Sequence, residues 1–479
     1  MVAVGAFPAA QRHGEAWERE MPKAMSVMAR CPAPFGHAYP KDLVSFIYER
    51  WQDASFVERF CPSAADCAFT LPDRSVLEQV LSTCYQASLL REEERPVMFR
   101  LIIRDSQLFP AEEGPPTGMH RLIFSRSRPF NEYELHRLAP AADFYRTLIG
   151  ISIDPVDGAQ IWGLLHSGTR WMHAVYGGRK TSPPLPLCLV VYVTGAGQIS
   201  VCIGAETIAS LNGGQINCPT VDVFNSTWIA DSLAAVHSET WALHQAARSR
   251  AERPWADLDP EFGKNVAQQA IRRIISVVRN SNHGGLLIYI PPEMTEEILE
   301  ENQYMTIKYQ FLEYESRQRF RTLTLRIMNT LAEIHGKEPR HPGKLVGWQE
   351  YVTSKNETIA LLDEAIFDIA HFIAALSAVD GAVVISKRQE LLGFGGVISG
   401  DMVDSVGIVM HALDTEGGRT EQVLSEGVGT RHRAAYRLCQ KLHEAIAIVI
   451  SQDESVQIVK WHNGAVTYWD QVPTGVPGF

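Results

Sequence analysis

An amphipathic helix that passes directly into an apolar strand is the feature that most constrains this fold. Between residues 357 and 379 apolar side chains recur at intervals of three and four, which predicts a helix with one buried face. An Asp-Gly-Ala sequence follows at 380–382, and an apolar strand is predicted at 383–386. A helix joined to a buried strand in this way is typical of α/β folds, in which helices cover a sheet.

The rest of the C-terminal region supplies more strands for such a sheet. Residues 445–450 are wholly apolar, so we expect a central strand there. A further strand is predicted at 456–460, and Asn463-Gly464 predicts a tight hairpin turn into a last strand at 465–469. The segment from Gly429 to Ala435 predicts the start of a helix that precedes the central strand.

The N-terminal region reads as short strands followed by helices. Helices are predicted from Pro40, over 228–248 and over 265–278. Strands are predicted at 97–103, 121–124, 149–153, 160–165, 187–193, 198–203 and, after His283-Gly284-Gly285, at 286–290. The fold class expected overall is α/β with mixed sheets. The expected division is a loose arm (1–40), an N-terminal α/β domain (41–300), a helical connector (301–345), a C-terminal domain (346–470) and a tail (471–479).

Charge and composition exclude several classes of protein. The 44 basic and 55 acidic residues give a net charge of −11, which argues against a broad nucleic-acid surface. No apolar run approaches the roughly 18 residues of a membrane span, and the N-terminus has no signal-peptide layout. The 8 cysteines include no C-x-x-C pair, so a disulfide or zinc scaffold is not expected. We therefore expect a cytoplasmic protein.

The stretch from Gly429 to Arg433 has the chemistry of an anion site. Thr430 is expected to cap a helix that begins at Arg431. Arginine matches phosphate oxygens in a bidentate way, and cations at a helix N-terminus are most reasonable when an anion sits there. The alternative is that Arg431 and Arg433 are solvated surface charges.

Asp380 supplies the complementary acidic group. A carboxylate where a helix meets a strand can hold a divalent metal ion or accept a proton from a hydroxyl group. The alternative is an aspartate that only ends the helix in a turn. The glycine cluster from Gly393 to Gly396 is expected to form a β-turn, although it could also let the backbone approach a ligand.

Taken in this order, the motifs Asp380-Gly381-Ala382 and Gly429-Thr430-Arg431-His432-Arg433 with their strands resemble the diadenylate cyclase domain. The resemblance covers roughly residues 350–470, about a quarter of the chain. The region upstream is similar to the sensor domain, of the DACNV type, that precedes this cyclase in some bacterial proteins. The resemblance implies condensation of two ATP molecules into cyclic di-AMP, with release of two pyrophosphates.

The resemblance also implies roles for individual residues. Asp380 would bind Mg²⁺, Mn²⁺ or Co²⁺ and help to activate a ribose 3′-hydroxyl. The nucleotide would rest against Gly381, Ala382 and Gly396. The triphosphate would be held by the residues around the helix start, namely Gly429, Thr430, Arg431, His432 and Arg433. Ser451 would lie close to it. Asp380, Arg431, His432 and Arg433 are thus the expected catalytic residues.

Two departures from the family pattern bear on catalysis. The polar loop between Gly400 and Gly427 is longer than the family leads us to expect. Gln452 stands where many members have a glutamate that assists the metal, and an amide is a poorer ligand than a carboxylate. Metal binding would then need Asp453 or Glu454 beside Asp380.

Three functions remain open at this point. The first is an active cyclase that works as a homodimer or higher homo-oligomer, because two 3′–5′ bonds require two ATP molecules placed head to tail. The second is a nucleotide-binding regulatory protein of the same fold without turnover, which Gln452 favours. The third is an enzyme that makes another nucleotide product. The ligand or protein partner of the N-terminal domain is not predicted, because its scattered histidines are typical of structural positions.

Overall fold

The computed structural model describes most of the chain in segments. These are residues 37–53, 57, 70–92, 94–115, 118–144, 146–154, 158–168, 188–204, 206–217, 222–281, 283–336, 345–399, 406–451 and 455–470. The expected arm up to residue 36, the tail from 471, and Gln452, Asp453 and Glu454 lie outside them. The described residues form helices and mixed sheets, so the predicted α/β class is confirmed.

The helices lie between the strands, singly or in consecutive runs. They are α1 (Pro40–Trp51), α2 (Arg74–Ser88), α3 (Glu132–Leu138), α4 (Thr227–Ser249), α5 (Phe262–Asn280), α6 (Thr295–Leu299), α7 (Tyr314–Arg317), α8 (Arg319–His335), α9 (Trp348–Thr353), α10 (Glu357–Leu376) and α11 (Thr430–Lys441). Among them, none has both the length and the apolar character needed to cross a membrane.

The strands fall into two large sheets and one short pair. They are β1 (Arg91–Glu92), β2 (Arg95–Pro96), β3 (Phe99–Ile103), β4 (His120–Pro129), β5 (Thr147–Asp154), β6 (Gly158–His166), β7 (Leu189–Gly195), β8 (Gln198–Ile203), β9 (Glu206–Asn212), β10 (Gln215–Asn217), β11 (Gly285–Ile290), β12 (Met305–Gln310), β13 (Ala382–Ser386), β14 (Leu391–Ile398), β15 (Ile408–Ala412), β16 (Thr420–Leu424), β17 (Ile446–Ile450), β18 (Val456–His462) and β19 (Ala465–Trp469).

The first large sheet belongs wholly to the N-terminal region. Its eight strands follow the order β10-β9-β8-β7-β3-β5-β6-β4, and only β3 and β5 run parallel. Apolar side chains of α1 and α2, among them Leu43, Ile47, Leu77 and Leu81, are fully buried in the cluster that covers one face of this sheet. The six predicted strands between residues 97 and 203 are all present in this sheet, while β9 and β10 were not predicted.

The second sheet joins strands from distant parts of the sequence. Its nine strands follow the order β12-β14-β13-β11-β17-β18-β19-β15-β16. The apolar β17 lies in the middle, as its composition predicts. The turn between β18 and β19 is also as predicted, because Asn463 and Gly464 both have positive φ, 49° and 85°.

Helices cover both faces of the second sheet. On one face Ile274 and Ile275 of α5 and Ile373 of α10 pack against Leu287 and other strand residues. On the other face Tyr436, Leu438 and Cys439 of α11 pack against the alternate strand residues, such as Ile288 and Val449. This three-layer arrangement explains why β11, β13 and β17 are apolar at almost every position.

The expected domain limits at residues 300 and 345 cut through this second sheet. β11 pairs with both β13 and β17, and β12, which lies in the expected helical connector, pairs with β14. The sequence places β11 with the N-terminal strands only because it follows them in the chain. The structural unit of the C-terminal sheet begins near Asp222, where Val223 and Phe224 already belong to its core.

The glycine cluster is part of a strand and not the expected β-turn. Gly393 and Gly396 lie within β14, between β12 and β13. A Cβ on Gly393 would stand 2.3 Å from the carbonyl oxygen of Tyr309. Glycine is therefore required here because two neighbouring backbones come unusually close.

Candidate nucleotide site

Asp380 lies on the surface at the junction of α10 and β13. α10 ends at Leu376 and β13 begins at Ala382, so the carboxylate stands in the short connection that the sequence predicted. It is exposed, and it makes no hydrogen bond or ion pair with any residue that the structure describes. The carboxylate is therefore available to a ligand, in contrast to one that only closes a turn through its own hydrogen bonds.

Gly381 brings this junction against the glycines of β14. Its φ is +114°, and a Cβ there would lie 2.6 Å from the carbonyl carbon of Gly395 and 2.9 Å from the nitrogen of Gly396. Ala382 is the Cα partner of Gly396 in the sheet. Three of the expected nucleotide-contacting residues, Gly381, Ala382 and Gly396, are thus neighbours.

The sheet register places other expected residues at the same edge. β11 and β13 are parallel with Leu287 opposite Val383, and Gly285 is opposite Ile450 of the antiparallel β17. Gly381, Gly285 and Ile450 therefore stand in one row across three strands. Because neighbouring strands are about 4.8 Å apart, Gly381 lies on the order of 10 Å from Ile450, which precedes Ser451.

Arg431 reaches this row from α11. Its Nη1 lies 3.1 Å from the position that a Cβ on Gly284 would occupy, and the carbonyl carbon of Ser451 lies 3.2 Å from the same point. Gly284 has φ +63°, so its lack of a side chain serves both the backbone turn and the space for the guanidinium. Arg431 and Ser451, which the resemblance groups together, are thus brought together.

The start of α11 differs in detail from the prediction. The helix begins at Thr430, and the capping residue is Gly429, which has extended backbone angles. Thr430 is therefore the first helical residue and not the cap. The first N–H groups of a helix have no partner within it, so they and Arg431 present positive potential toward the sheet edge.

The acidic and basic parts approach the edge from opposite faces. α10, which leads to Asp380, covers one face of the sheet, and α11, which carries Arg431 and Arg433, covers the other. Arg433 is exposed, while Arg431 and His432 are half-buried. A nucleotide bound at this edge would therefore meet the carboxylate and the guanidinium groups on different sides.

Binding of a metal ion at this edge would depend mainly on phosphate ligands from a bound nucleotide. No cluster of three or more His, Cys, Asp or Glu residues suited to a metal ion occurs in the described segments. Two of the three expected ligands, Asp453 and Glu454, lie outside those segments. Mg²⁺ commonly binds through one or two carboxylates together with substrate phosphates, so Asp380 suits an ion that arrives with a triphosphate.

A row of aromatic rings extends from His432 through Tyr436 and Tyr468 to His411. The ring centroids of His432 and Tyr436 are 6.4 Å apart, and Tyr436 stacks on Tyr468 at 6.2 Å. Tyr468 stacks on His411 of β15, with centroids 4.9 Å apart and planes 11° apart. Burial raises the pKa of Tyr436 well above its usual value. Burial and the charges of Asp470 and Glu421 raise the pKa of Tyr468 to about 12. Both side chains are therefore neutral.

Two features of this edge were not recognised from the sequence. Read from the sequence, Gly284 is only part of a strand entry in the N-terminal domain, although the glycine pair before the apolar strand is a usable signal of close approach. The long polar loop before Gly427 contains the hairpin β15–β16, which brings His411 under the aromatic row. Nothing in local sequence spacing relates His411 to Tyr468, because their pairing depends on the sheet order.

The comparisons with known proteins bear on the N-terminal sheet. Residues 66–166 match the model of a family described as a probable sensor domain, DACNV. No curated protein matches the chain. The match covers about a fifth of the 479 residues and includes α2, α3 and strands β3 to β6. The chain therefore carries, ahead of its nine-stranded sheet, a sensor domain of a type found with diadenylate cyclases.

Proposed function

We propose that the protein is a diadenylate cyclase whose N-terminal domain is a sensor. The observation that carries the proposal is the meeting of Asp380-Gly381-Ala382, Gly396, Arg431 and Ser451 at one edge of the second sheet. These are residues that the resemblance assigns to one nucleotide site, although they are separated by up to 71 positions in the sequence. The sensor-domain match upstream supports the same reading.

The proposed reaction joins two ATP molecules. Each ribose 3′-oxygen attacks the α-phosphorus of the other ATP, two P–O bonds form, and two bonds to pyrophosphate break. Each hydroxyl proton passes to a carboxylate, the role that the proposal gives to Asp380. A divalent metal ion, when bound, would neutralise charge on the phosphates. Arg431 and the start of α11 would hold the triphosphate in line for displacement.

A single chain cannot complete this chemistry alone. One edge provides one nucleotide site, while each new bond needs a second nucleotide that faces the first. Two copies related by a two-fold axis satisfy both requirements, and the position of Asp380 on an exposed corner suits it to serve a nucleotide held by the partner copy. We therefore expect activity to depend on a homodimer or a larger homo-oligomer.

The second candidate is a nucleotide-binding protein without turnover. Gln452 in place of a carboxylate favours it. In this case the edge would still bind ATP through Arg431 and the helix start. The N-terminal domain would then respond to, or control, nucleotide occupancy and not catalysis.

Incubation of the full-length protein with ATP and Mg²⁺, Mn²⁺ or Co²⁺ tests the proposal. Chromatographic separation should reveal cyclic di-AMP and pyrophosphate in a ratio of one to two, with a rate per chain that rises with protein concentration. Binding of ATP without product under all three metals would support the second candidate. Absence of ATP binding would exclude both.

A further inference from the structure

The hairpin β15–β16 has a role that the proposed reaction does not itself require. We call residues 408–424, which comprise both strands and the tip between them, the linking hairpin. β15 is held to β19 by only two paired positions, Met410 with Thr467 and His411 with Tyr468. Side chains therefore determine much of how the linking hairpin is held.

The tip of the linking hairpin contacts the start of α4. Glu416 accepts hydrogen bonds from the backbone nitrogen of Thr227 at 2.9 Å and from its hydroxyl at 2.6 Å. The indole nitrogen of Trp228 donates to the carbonyl of Thr415 at 3.2 Å. α4 is the first helix after β10, the last strand of the N-terminal sheet. The tip therefore contacts the first helix that the chain forms after the N-terminal sheet.

The tip is also tightly packed against the second sheet. Trp469 is fully buried, and its indole nitrogen donates to the carbonyl of Asp414 at 3.1 Å. A Cβ on Gly417, whose φ is +65°, would lie 2.9 Å from the Trp469 ring. The rings of Trp228 and Trp469 are in contact, with centroids 4.6 Å apart and planes tilted by 32°. A displacement of Trp228 would therefore also displace the tip, because the ring of Trp469 is packed against both.

His411 holds the linking hairpin one residue pair from its tip, because it is opposite Glu421 and the next pair, Ala412 with Thr420, borders the tip. Its Nδ1 lies 2.7 Å from Glu421 on β16, and its Nε2 lies 3.1 Å from Asp470, which follows β19. Ionised carboxylates only accept hydrogen bonds, so both ring nitrogens carry a proton and the imidazole is positively charged. Besides these two carboxylates, the His411 ring contacts the ring of Tyr468.

Two connections lead from the linking hairpin to the candidate nucleotide site. The first is the aromatic row of His411, Tyr468, Tyr436 and His432. The second is the chain itself, because β16 continues through Ser425 into α11, and the Ser425 hydroxyl donates to the carbonyl of Val406. The linking hairpin thus contacts α4 directly and is connected to the start of α11 through the aromatic row and through residues 425–429.

We propose that the linking hairpin couples the start of α4 to the nucleotide-binding start of α11, with His411 as a positioning residue. The nucleotide-binding part rests on the proposed function, while the mechanical link can be tested without it. A shift of Thr227 and Trp228 would move the tip. The charged His411 would transfer that shift to β19 and the aromatic row instead of letting β15 slide. The sensor would thereby adjust how well Arg431 and His432 hold a nucleotide.

Hydrogen exchange on the full-length protein tests the mechanical link. Glu416→Ala removes both contacts with Thr227, and we expect faster amide exchange in the linking hairpin and in residues 433–436, the first hydrogen-bonded amides of α11. Gln422→Ala is the matched control, because Gln422 is an exposed β16 residue beside Glu421 and should leave both segments unchanged. Faster exchange that stops at residue 424 would overturn the proposal.

Nucleotide binding tests the role of His411. We expect His411→Gln to weaken ATP binding by roughly threefold to tenfold, the usual size of coupling between linked elements. His411→Arg should restore most of the affinity, since a guanidinium can donate to both carboxylates and stack on Tyr468. In a Glu416→Ala/His411→Gln double variant the two losses should be less than additive. Equal affinity in all variants, or no rescue by arginine, would reject the role of His411, whereas absence of ATP binding in the parent would reject the proposed function and leave the exchange result intact.

Discussion

The guanidinium of Arg431 occupies the space that a side chain at position 284 would need. Its Nη1 is 3.1 Å from the Cβ position of Gly284, and the carbonyl oxygen of Ile450 is 2.7 Å from the same point. The arginine of the candidate site is therefore placed by a glycine that stands 147 residues earlier in the sequence. This contact links the strand β11 to the candidate site.

Gly284→Ala should reduce ATP affinity by displacing Arg431. The substitution also forces a non-glycine residue to adopt φ +63°, which should cost about 1–2 kcal/mol of unfolding free energy. Gly464→Ala controls for the backbone conformation alone, because Gly464 has φ +85° but nothing within 4 Å of its Cβ position, whereas the Cβ of Gly284→Ala would also lie 2.7 Å from the carbonyl oxygen of Ile450. Calorimetric titration with ATP should give weaker binding for the first variant only. Equal ATP affinity in the two variants would show that Arg431 does not contribute to nucleotide binding.

Gly381→Ala should destabilise the fold strongly. The new Cβ would lie 2.6 Å from the backbone of Gly395, at a φ of +114° that only glycine tolerates well. We expect a loss of about 2–4 kcal/mol in the free energy of unfolding, measured with urea. Gly407→Ala has open space around its Cβ position and should change stability by no more than about 0.5 kcal/mol. A tolerated Gly381→Ala would contradict the close approach of the two backbones.

Asp380→Asn should abolish turnover and preserve ATP binding. The amide keeps the size of the side chain but can neither accept the hydroxyl proton nor bind a metal ion well, so we expect a loss of at least about 100-fold in kcat. Glu364→Gln removes an exposed carboxylate from the middle of α10 and should leave kcat unchanged. Unaltered product formation by Asp380→Asn would remove Asp380 from the mechanism.

Stability should fall in alkaline solution as His411 loses its proton. Burial lowers the pKa of this imidazole, but hydrogen bonds and charges of Asp470 and Glu421 outweigh it and raise the pKa to about 9. Since the folded value exceeds the unfolded value of about 6.5, the stabilisation is complete below pH 6.5 and is lost as the pH rises through 9. The loss amounts to at most about 3 kcal/mol.

Urea unfolding between pH 6.5 and pH 10 measures this contribution. The stability difference between the parent and His411→Gln should shrink as the pH rises, because only the parent has a charge to lose. A difference that stays constant over this range would show that His411 is uncharged in the folded protein.

The limits of the second sheet predict which fragments fold. Residues 346–479 lack β11 and β12, so β13 and β17 would each lose a neighbour in the middle of the sheet. We expect this fragment to lack cooperative unfolding, whereas residues 222–479 should unfold cooperatively in a calorimeter. A stable shorter fragment would contradict the central place of β11.

Local patterns were sufficient to predict most of the helices and strands. The period of α10, the apolar β17 and the turn at Asn463-Gly464 each depend on neighbouring residues, and all three are found as predicted. The predicted helix over 357–379 extends three residues beyond the observed end at Leu376, which leaves room for the turn before Asp380.

The order of the strands could not be read from the sequence. Whether β11 belongs with β10 before it or with β13 after it depends on which faces pack together, and both choices suit an apolar strand. The same limit applies to Gly393–Gly396, because a glycine run suits a turn as well as a strand squeezed between two neighbours. Contacts such as His411 with Tyr468 follow only once the sheet order is known.

The interleaved order of the second sheet also has consequences during synthesis. All strands of the eight-stranded sheet lie between residues 99 and 217, so that part can fold as soon as it leaves the ribosome. β11, in contrast, can pair with β13 only after residue 386 has been synthesised, and with β17 only after residue 450. At about 5–20 residues per second the wait amounts to several seconds or more, during which an apolar strand has two open edges. A nascent chain of this protein should therefore depend on chaperone protection late in translation, after its N-terminal half is already native.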